Sequence, residues 1–363
     1  MSASAEGCVF YNVRVNTWDV IIVGGGIIGI SLARELRKHD AKVLVVERGE
    51  PGHEASSAAA GMLVDAAEET LPALQPLATA SAKMYPEFAR ELQDESGIDV
   101  DLRDDGTIVF PHRGETDSGQ TGERLDSSDL ARLEPELADI ELPAFFLKER
   151  SVDPRALTRT TLKAAKHRGV DFATGTTVTD LLLSDGRVAG VSTAKSHYNA
   201  PVVVNCAGAW AGAISSHRFP TRPLKGQMLA VVGGPKLRYV VRTPDAYLVP
   251  RTDGRILIGS TVEDVGYDKR VDASTIQRLY RAAIRLVPVL AQARVLEDWA
   301  GLRPGTPDGL PILGATGTPG YFVAAGHFRD GILLTPVTAH LMAQVITGAT
   351  PDYDISSFCP SRF

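Results

Sequence analysis

Apolar positions near the N-terminus of the chain fall in two short runs that are separated by a segment of helical spacing. Residues 18–23 and 42–47 are rich in β-branched side chains and lack polar alternation, which predicts strands buried on both faces. Residues 30–39 carry apolar side chains at helical spacing. The pattern therefore predicts a strand–helix–strand unit with parallel strands.

The pattern farther along the chain predicts a second kind of sheet. Residues 224–261 contain short runs of alternating polarity, which are typical of antiparallel strands. Asp153 and Pro154 are typical of a helix N-cap and a first helical position, and that helix is predicted to end near residue 167. Further helices are predicted at 71–97 and 274–290, strands at 170–178, 201–206 and 321–325, strands within 181–191 that are separated by a turn at Asp185 and Gly186, and a solvated loop at 117–129. Parallel-type segments at both ends predict two interleaved domains with a pocket where they meet.

Length and composition are those of one large or two interleaved globular domains, with 363 residues, 44% hydrophobic and 23% charged. The net charge of −6 gives no basic footprint for nucleic acid and disfavours an anionic membrane surface. Cys8, Cys206 and Cys359 are too far apart for a metal site or a disulfide framework, which fits a reducing compartment. No segment is typical of a membrane span, and residues 1–17 lack a signal pattern and are expected to form a flexible arm. We therefore expect a cytoplasmic protein without a metal site.

The turn after the first predicted strand carries a pattern of glycines. Gly24, Gly26 and Gly29 form G-x-G-x-x-G between a predicted strand and a predicted helix, and Glu47 ends the next strand roughly 20 residues on. The glycines suit a tight turn, close approach of a pyrophosphate, and helix–strand packing, in that order. Glu47 is placed to accept hydrogen bonds from ribose hydroxyls and to disfavour a 2′-phosphate. The sequence therefore predicts a dinucleotide site that disfavours NADP.

A second group of candidate residues lies near the C-terminus. Arg303 is surrounded by glycine and proline, which predicts that a turn holds its guanidinium, as suits two parallel hydrogen bonds to a carboxylate. After the strand at 321–325 come a glycine turn, Arg329, and an apolar helix that is predicted to begin near Asp330 or Gly331. A helix N-terminus at that point would stabilise negative charge on a bound group.

Five blocks of the sequence resemble the flavin-dependent amine oxidases of the D-amino acid oxidase superfamily, in particular the glycine oxidase group of thiamine biosynthesis. In order, the blocks are VIIVGGGIIG with Glu47, SSAAAGML, AYLVPR, WAGLRPGTPDG and AAGHFRDGILL, and the resemblance runs from residue 18 to residue 346. It implies an α/β FAD-binding Rossmann-like domain interleaved with an α+β substrate domain that is built on an antiparallel sheet. The FAD-binding domain is expected at 18–75, 152–212 and 300–347, and the substrate domain at 76–151 and 213–299.

The same resemblance implies bound FAD and its contacts. The implied contacts are Gly24, Gly26, Ile27, Ile28, Gly29, Glu47, Arg48, Ser56, Ala60, Gly61 and Met62, then Val178 against the adenine, and His327, Phe328, Asp330, Gly331, Ile332 and Leu333 around the flavin ring. Related sarcosine oxidases attach flavin through a cysteine in the C-terminal third. Here that third holds only Cys359, beyond the flavin segment, so non-covalent FAD is expected.

For the substrate, the resemblance implies that Arg303 binds the carboxylate of an α-amino acid, that Tyr247 hydrogen-bonds to the same group, and that Arg329 lies beside it. The chain departs from the glycine oxidase pattern at Arg242, where that pattern has a second tyrosine. Arg242 is either an extra cation at the pocket mouth, which would favour a more polar or acidic substrate, or a side chain that faces solvent.

Together these residues predict an FAD-dependent oxidase of glycine or a related small amino acid, which forms the imine by hydride transfer from Cα to flavin N5 and reduces O2 to H2O2. One alternative is an oxidase or dehydrogenase of D-amino acids or of secondary amino acids such as sarcosine or proline. The other is a non-catalytic flavoprotein that serves as an assembly or binding partner. The expected partners are a small amino acid and O2, with a homo-oligomer left open.

Overall fold

The computed structural model describes residues 17–65, 70–111, 122–137, 140, 143–214 and 218–363. Its α-helices are α1 (Ile27–Arg37), α2 (Ala55–Ala58), α3 (Gln75–Ser96), α4 (Ser127–Leu133), α5 (Pro154–His167), α6 (Ala273–Leu286) and α7 (Thr335–Thr347). Its strands are β1 (Val20–Val23), β2 (Val43–Val46), β3 (Met62–Leu63), β4 (Thr107–Val109), β5 (Glu123–Leu125), β6 (Ala144–Leu147), β7 (Arg150–Ser151), β8 (Asp171–Ala173), β9 (Val178–Ser184), β10 (Arg187–Thr193), β11 (His197–Asn199), β12 (Val202–Asn205), β13 (Arg222–Val232), β14 (Val240–Arg242), β15 (Tyr247–Pro250), β16 (Ile256–Gly259), β17 (Arg294–Gly305), β18 (Ile312–Ala315) and β19 (Tyr321–Ala325).

The first large sheet has the strand order β18-β19-β12-β1-β2-β8, and β1 pairs in parallel with both β12 and β2. Successive side chains of a strand point to opposite faces. Val20 and Ile22 accordingly pack with residues of α1 and α7, whereas Ile21 and Val23 pack with residues of the small sheet β11-β10-β9. Burial on both faces explains why the sequence of β1 is continuously apolar.

The second large sheet has the strand order β17-β13-β16-β15-β14-β4-β6-β5 and is antiparallel apart from the β14–β4 pair. Helix α6 packs on it, with Ile276 and Leu279 in one cluster with Leu229 and Val231 of β13. A helix-flanked sheet that is parallel apart from its β18–β19 pair and a separate antiparallel sheet match the architecture that the sequence predicts. The domain boundaries themselves stay a prediction.

Most predicted elements are present, with ends that differ by a few residues. β19 has its predicted bounds, and α5 follows Asp153, whose carboxylate accepts hydrogen bonds from the N–H groups of Arg155 and Ala156. The loop predicted at 117–129 is wrong in its second half, because β5 and the start of α4 lie there. β5 pairs with β6 at the edge of the antiparallel sheet, and this position keeps its sequence polar.

Some of the sequence predictions can be compared with the structure only within the described residues. Residues 1–16 of the predicted arm and 117–121 of the predicted loop lie outside the described residues. Within the described part of the chain, no helix has both the length and the apolar character that a membrane span requires. The same residues contain no group of three or more potential metal ligands.

Candidate active site

A cavity of about 1100 Å³ is lined by residues of both large sheets. Gly24, Gly26 and Glu47 contribute to its wall from the parallel sheet, and Tyr247 and Arg303 contribute from the antiparallel sheet. The predicted dinucleotide site and the predicted carboxylate site therefore belong to one continuous space.

Most of the residues predicted to contact ligands line this cavity. They are Gly24, Gly26, Ile27, Ile28, Glu47, Arg48, Ser56, Ala60, Gly61, Met62, Val178, Arg242, Tyr247, Arg303, His327, Phe328, Arg329, Gly331 and Ile332. Gly29, Asp330 and Leu333 are not among the lining residues. A Cβ at Gly29 would lie 2.1 Å from the carbonyl oxygen of Gly24, so close helix–strand packing requires a glycine there. Leu333 is buried, and its carbonyl oxygen accepts a hydrogen bond from the Ser81 hydroxyl at 2.6 Å.

Helix α1 begins at the cavity wall, directly after the glycine turn. The Ile27 N–H donates to Ser56 Oγ at 2.9 Å, which satisfies one of the N–H groups that have no partner inside the helix. Glu47 accepts hydrogen bonds from the backbone N–H of Gly25 at 2.7 Å and of Gly49 at 2.8 Å, one on each carboxylate oxygen. Each oxygen keeps a further lone pair, so the fixed carboxylate can also accept ribose hydroxyls.

Arg48 and Trp210 form a stacked pair in the wall of the cavity. The Arg48 guanidinium lies 3.5 Å from the centre of the Trp210 ring and pairs with Glu54 at 2.8 Å. The ring of Tyr267 also stacks on Trp210, with the two ring centres 5.3 Å apart. Trp210 is absent from the contacts implied by the resemblance. The run of small residues from Ala207 to Ala209, directly before Trp210, is the sequence pattern that could have indicated this part of the cavity wall.

Arg303 lies in a strand, and the prediction that a turn holds it is wrong. It belongs to β17, which among the described strands pairs with β13 alone, with Arg303 opposite Leu224. Proline lacks an N–H donor, so it is tolerated in an edge strand, where one side of the strand has no neighbouring strand to bond. β17 is such an edge strand and contains Pro304. Glycine and proline around Arg303 thus mark a sheet edge where the sequence suggested a turn.

The Arg303 side chain crosses β13 at Gly226. A Cβ at Gly226 would lie 2.2 Å from Nη1 of Arg303, so only glycine leaves room for the guanidinium. Nη1 donates to the Thr261 carbonyl oxygen at 2.9 Å, and Nη2 donates to Ser260 Oγ at 2.8 Å. Sequence reasoning missed Gly226 and Ser260, because only the pairing of distant strands brings them to Arg303.

The charge on Arg303 has no acidic partner among the described residues. Burial lowers the pKa of Arg303, and the nearby positive charge of Arg329 lowers it further. A partly buried cation that is bonded to neutral acceptors is poorly compensated. The site is therefore suited to a ligand that brings a carboxylate.

Tyr247 lies beside this guanidinium. Its ring packs against Gly259, and its hydroxyl lies 3.6 Å from Met228 Sδ. Burial raises the pKa of Tyr247, with a smaller opposing effect from Arg303. The phenol is therefore protonated at neutral pH and can donate a hydrogen bond into the cavity.

The prediction that a helix begins near Asp330 or Gly331 is wrong. Helix α7 begins at Thr335, and the residues before it form a turn in which the Leu334 N–H donates to the Asp330 carbonyl oxygen at 2.8 Å. Pro336 occupies the first turn of α7, where a missing N–H leaves no hydrogen bond unmade. The apolar spacing suits both turn and helix, so it could not locate the boundary.

The turn that precedes α7 is attached to the Arg303 strand. The Phe328 N–H donates to the Pro304 carbonyl oxygen at 2.9 Å, and Phe328 has a φ of 44°, which is uncommon outside glycine. His327 is buried, with Nε2 3.2 Å from Thr338 Oγ1. Burial lowers the pKa of His327 to about 4, so its ring is neutral at physiological pH.

Arg242 lines the cavity as part of an ion pair, which neither sequence alternative described. Its Nη2 lies 3.0 Å from Glu149 Oε1, and the two side chains are 20% and 4% exposed. Burial raises the pKa of Glu149, which the charge of Arg242 partly offsets. Glu149 was missed because it stands in a short charged segment, Lys148 to Arg150, that is typical of a surface turn.

The two cysteines in the described part of the chain, Cys206 and Cys359, do not suggest a covalent link to a ligand. Cys206 lines the cavity, but burial raises the pKa of its thiol well above the usual range, so it is an unreactive thiol. Cys359 is not among the residues that line the cavity.

Comparison with known proteins supports the same interpretation. The profile of the DAO family, described as FAD dependent oxidoreductase, matches residues 19–345. The bifunctional protein ThiO/ThiG of Trichormus variabilis is 37% identical over 96% of this chain, and the match spans 55% of that relative. The hydrogen cyanide synthase subunit HcnC of Pseudomonas aeruginosa is 33% identical, over 96% of both chains. The crystal structure of glycine oxidase from Geobacillus kaustophilus is 33% identical, with a TM-score of 0.89 over 96% of this chain and 99% of that one.

These similarities cover nearly all of the described residues, although the chain spans about half the length of the ThiO/ThiG relative. They support FAD-dependent oxidation of an amino acid. The glycine turn, the fixed carboxylate of Glu47 and the backbone of Ala60 and Gly61 in one large cavity fit FAD. The resemblance noted in the five sequence blocks is confirmed, and the chain belongs to the DAO family of FAD-dependent oxidoreductases.

Proposed function

We propose that the protein oxidises glycine or another small amino acid to its imine and passes both electrons to O2, which forms H2O2. Bound FAD would supply the two-electron acceptor for this reaction. The observation that carries the proposal is the partly buried guanidinium of Arg303, which among the described residues bonds to neutral acceptors and shares a cavity with the dinucleotide turn. The substrate amine loses two hydrogens, O2 gains them, and water then hydrolyses the imine.

In this proposal Arg303 binds the substrate carboxylate through its two terminal nitrogens, and Ser260 and Thr261 hold the guanidinium in place. Tyr247 donates its protonated hydroxyl to the same carboxylate, and Arg329 adds positive charge nearby. Fixing the carboxylate orients the Cα–H bond, which lowers the entropic part of the barrier. Neutral His327 contributes shape and hydrogen bonding and is not a charged acid.

The proposed FAD contacts are those residues implied by the resemblance to contact FAD that also line the cavity. Gly29 would contribute indirectly, because it allows the close packing of α1 on the glycine turn. Asp330 and Leu333 would act through the turn that carries His327 and Phe328. Non-covalent binding of FAD is part of the proposal, since Cys206 is an inert buried thiol and Cys359 does not line the cavity.

The similarity to a protein named glycine oxidase supports a small amino acid as substrate. The similarity to a hydrogen cyanide synthase subunit and to a ThiO/ThiG protein leaves the fate of the product open. We therefore assign the substrate class from the cavity and leave the individual amino acid to experiment.

The experiment is anaerobic titration of the purified yellow protein with glycine, sarcosine, proline and several D-amino acids. Loss of the flavin absorbance near neutral pH is expected with at least one of them. Readmission of air should restore the absorbance and release peroxide, whereas recovery only with an artificial acceptor would indicate a dehydrogenase. Acid precipitation should leave all FAD in the supernatant. A flavin that no amino acid reduces would reject the proposed activity and favour a non-catalytic binding protein.

A further inference from the structure

Three side-chain positions form a row across the antiparallel sheet beside Arg303. On neighbouring strands, Arg242 lies directly opposite Tyr247, and Tyr247 lies directly opposite Gly259. Directly opposed residues of antiparallel strands share one face of the sheet, and all three positions line the cavity. Strands are roughly 4.8 Å apart, so Arg242 and Gly259 are about two strand spacings apart. Ser260, the residue after Gly259, is bonded to the guanidinium of Arg303.

The row therefore places a second guanidinium on the same wall as the first, with the phenol of Tyr247 between them. Arg242 makes one hydrogen bond to Glu149, at Nη2. Its Nε is buried and has no hydrogen-bond partner in the part of the chain that the structure describes. A guanidinium carries five N–H donors; the buried Nε is closed to the cavity, so the donors that can serve a ligand are the terminal N–H groups that Glu149 does not occupy.

The counter-charge of Arg242 lies behind it. Glu149 is 4% exposed and is not among the residues that line the cavity. A ligand in the cavity can therefore contact the N–H groups of Arg242 but not the carboxylate of Glu149. Glu149 holds Arg242 in place while it reduces the net positive charge that a ligand encounters.

We propose that Arg242 binds a second carboxylate of the substrate, so that the preferred substrates are amino acids with two carboxylates. This inference rests on the proposed oxidase function, in which Arg303 binds the carboxylate next to the reacting carbon. A planar guanidinium grips a carboxylate through two parallel N–H donors, which a tyrosine at the same position could not do. Arg242 is then a specificity-determining residue.

The test compares iminodiacetate with sarcosine, which differ by a single carboxylate. In the wild type, kcat/KM for iminodiacetate should exceed that for sarcosine roughly tenfold or more, the size of one charge-assisted contact. Arg242→Tyr should lower this ratio roughly tenfold to 100-fold. Glu149→Gln should raise the ratio, because it removes the compensating charge. Opposite shifts in the two variants support the proposal, and a ratio that neither variant changes would overturn it.

Binding of unreactive ligands separates this inference from the proposed activity. Diglycolate and methoxyacetate match iminodiacetate and sarcosine in shape but have an ether oxygen in place of the amine. Their dissociation constants can be measured in the FAD-loaded protein from the perturbed flavin spectrum, without turnover. Tighter binding of diglycolate that Arg242→Tyr abolishes would support the second carboxylate site even if no amine is oxidised. Equal binding of both ligands in all variants would reject it.

A matched control is available in the segment just before β14. Arg238 forms an ion pair of the same 3.0 Å length with Asp105, but its side chain is 66% exposed and it does not line the cavity. Arg238→Tyr should leave unchanged both the kcat/KM ratio of iminodiacetate to sarcosine and the ratio of the dissociation constants of diglycolate and methoxyacetate. FAD content reports whether each variant is folded, and the Glu149→Gln result decides the question if Arg242→Tyr does not retain FAD.

Discussion

Two arginines, the buried Arg34 in the helical layer and the partly buried Arg303 in the cavity wall, have opposite electrostatic surroundings. Arg34 is 1% exposed and pairs with Glu91 at 2.8 Å and with Glu95 at 2.6 Å. Arg303 bonds to a hydroxyl and a carbonyl oxygen. Burial lowers the pKa of both groups, but the two carboxylates outweigh burial at Arg34, so its pKa is raised, whereas the pKa of Arg303 is lowered.

The difference separates a cation that stabilises the fold from a cation that binds a ligand. Arg34 of α1 is bonded to two carboxylates of α3, and Arg168, just after α5, shares one of them. Its charge is compensated within the folded chain. At Arg303 the compensation must come from a bound anion. Substitution of Arg34 should therefore alter stability, and substitution of Arg303 should alter substrate binding.

The largest effect is expected from Arg34→Met, which leaves Glu91 and Glu95 without their shared partner. Breaking a buried ion pair from one side costs about 3–5 kcal/mol of unfolding free energy. Urea unfolding of the FAD-loaded protein measures this change. Arg90→Met, at an exposed ion-paired position on α3, should leave unfolding unchanged. Equal effects of the two variants would contradict the comparison.

The next effect is expected from Arg303→Ala, which removes the proposed carboxylate contact. A charge-assisted hydrogen bond contributes about 1.5–3 kcal/mol, so KM should rise roughly 10- to 100-fold while FAD stays bound. Steady-state kinetics and the flavin spectrum measure the two quantities. Arg303→Lys keeps the charge without the planar fork and should give an intermediate KM. An unaltered KM in the alanine variant would rule out the carboxylate contact.

A smaller effect is expected in the pH dependence of stability. The hydrogen bonds and charges of Arg34 and Arg168 lower the pKa of Glu95 to about 2, although burial opposes them. A carboxyl group with a folded pKa below its unfolded pKa stabilises the fold above the unfolded value, about 4.5, and loses this contribution as pH falls towards 2. After allowance for solvent screening, the loss is about 1–2 kcal/mol.

Glu95→Gln tests this pH dependence. The variant should be less stable than the wild type at pH 6, and the gap should narrow between pH 4.5 and pH 3. Urea unfolding at several pH values measures the gap. A gap that is constant down to pH 3 would show that Glu95 has no lowered pKa in the folded protein.

The smallest effect is expected from Tyr247→Phe, which removes one neutral donor beside Arg303. Such a bond contributes about 0.5–1.5 kcal/mol, so kcat/KM should fall by roughly tenfold at most, with little change in stability. Steady-state kinetics with the preferred amino acid measures this fall. A loss as large as that of Arg303→Ala would mean that the phenol, and not the guanidinium, is the main carboxylate ligand.

Local patterns predicted the parallel sheet and its glycine turn well, because their signals lie within a few neighbouring residues. The continuous apolar runs of β1 and β2 reflect burial on both faces, and Gly29 reflects a close approach to Gly24. The turn at Arg303 and the helix start at Asp330 were wrong for the same kind of reason. Glycine and proline mark sheet edges and first helical turns as well as loops, and neighbouring residues do not distinguish these cases.

By itself, the sequence determined the family, the dinucleotide turn with its carboxylate, and the arginines and tyrosine that could bind a substrate. Only the tertiary structure decided which of the arginines lack an acidic partner among the described residues. Glu149 reaches Arg242, and Ser260 reaches Arg303, through strand pairs that join distant parts of the chain. The electrostatic state of a buried side chain depends on every group within a few ångströms, and sequence separation does not indicate which groups those are.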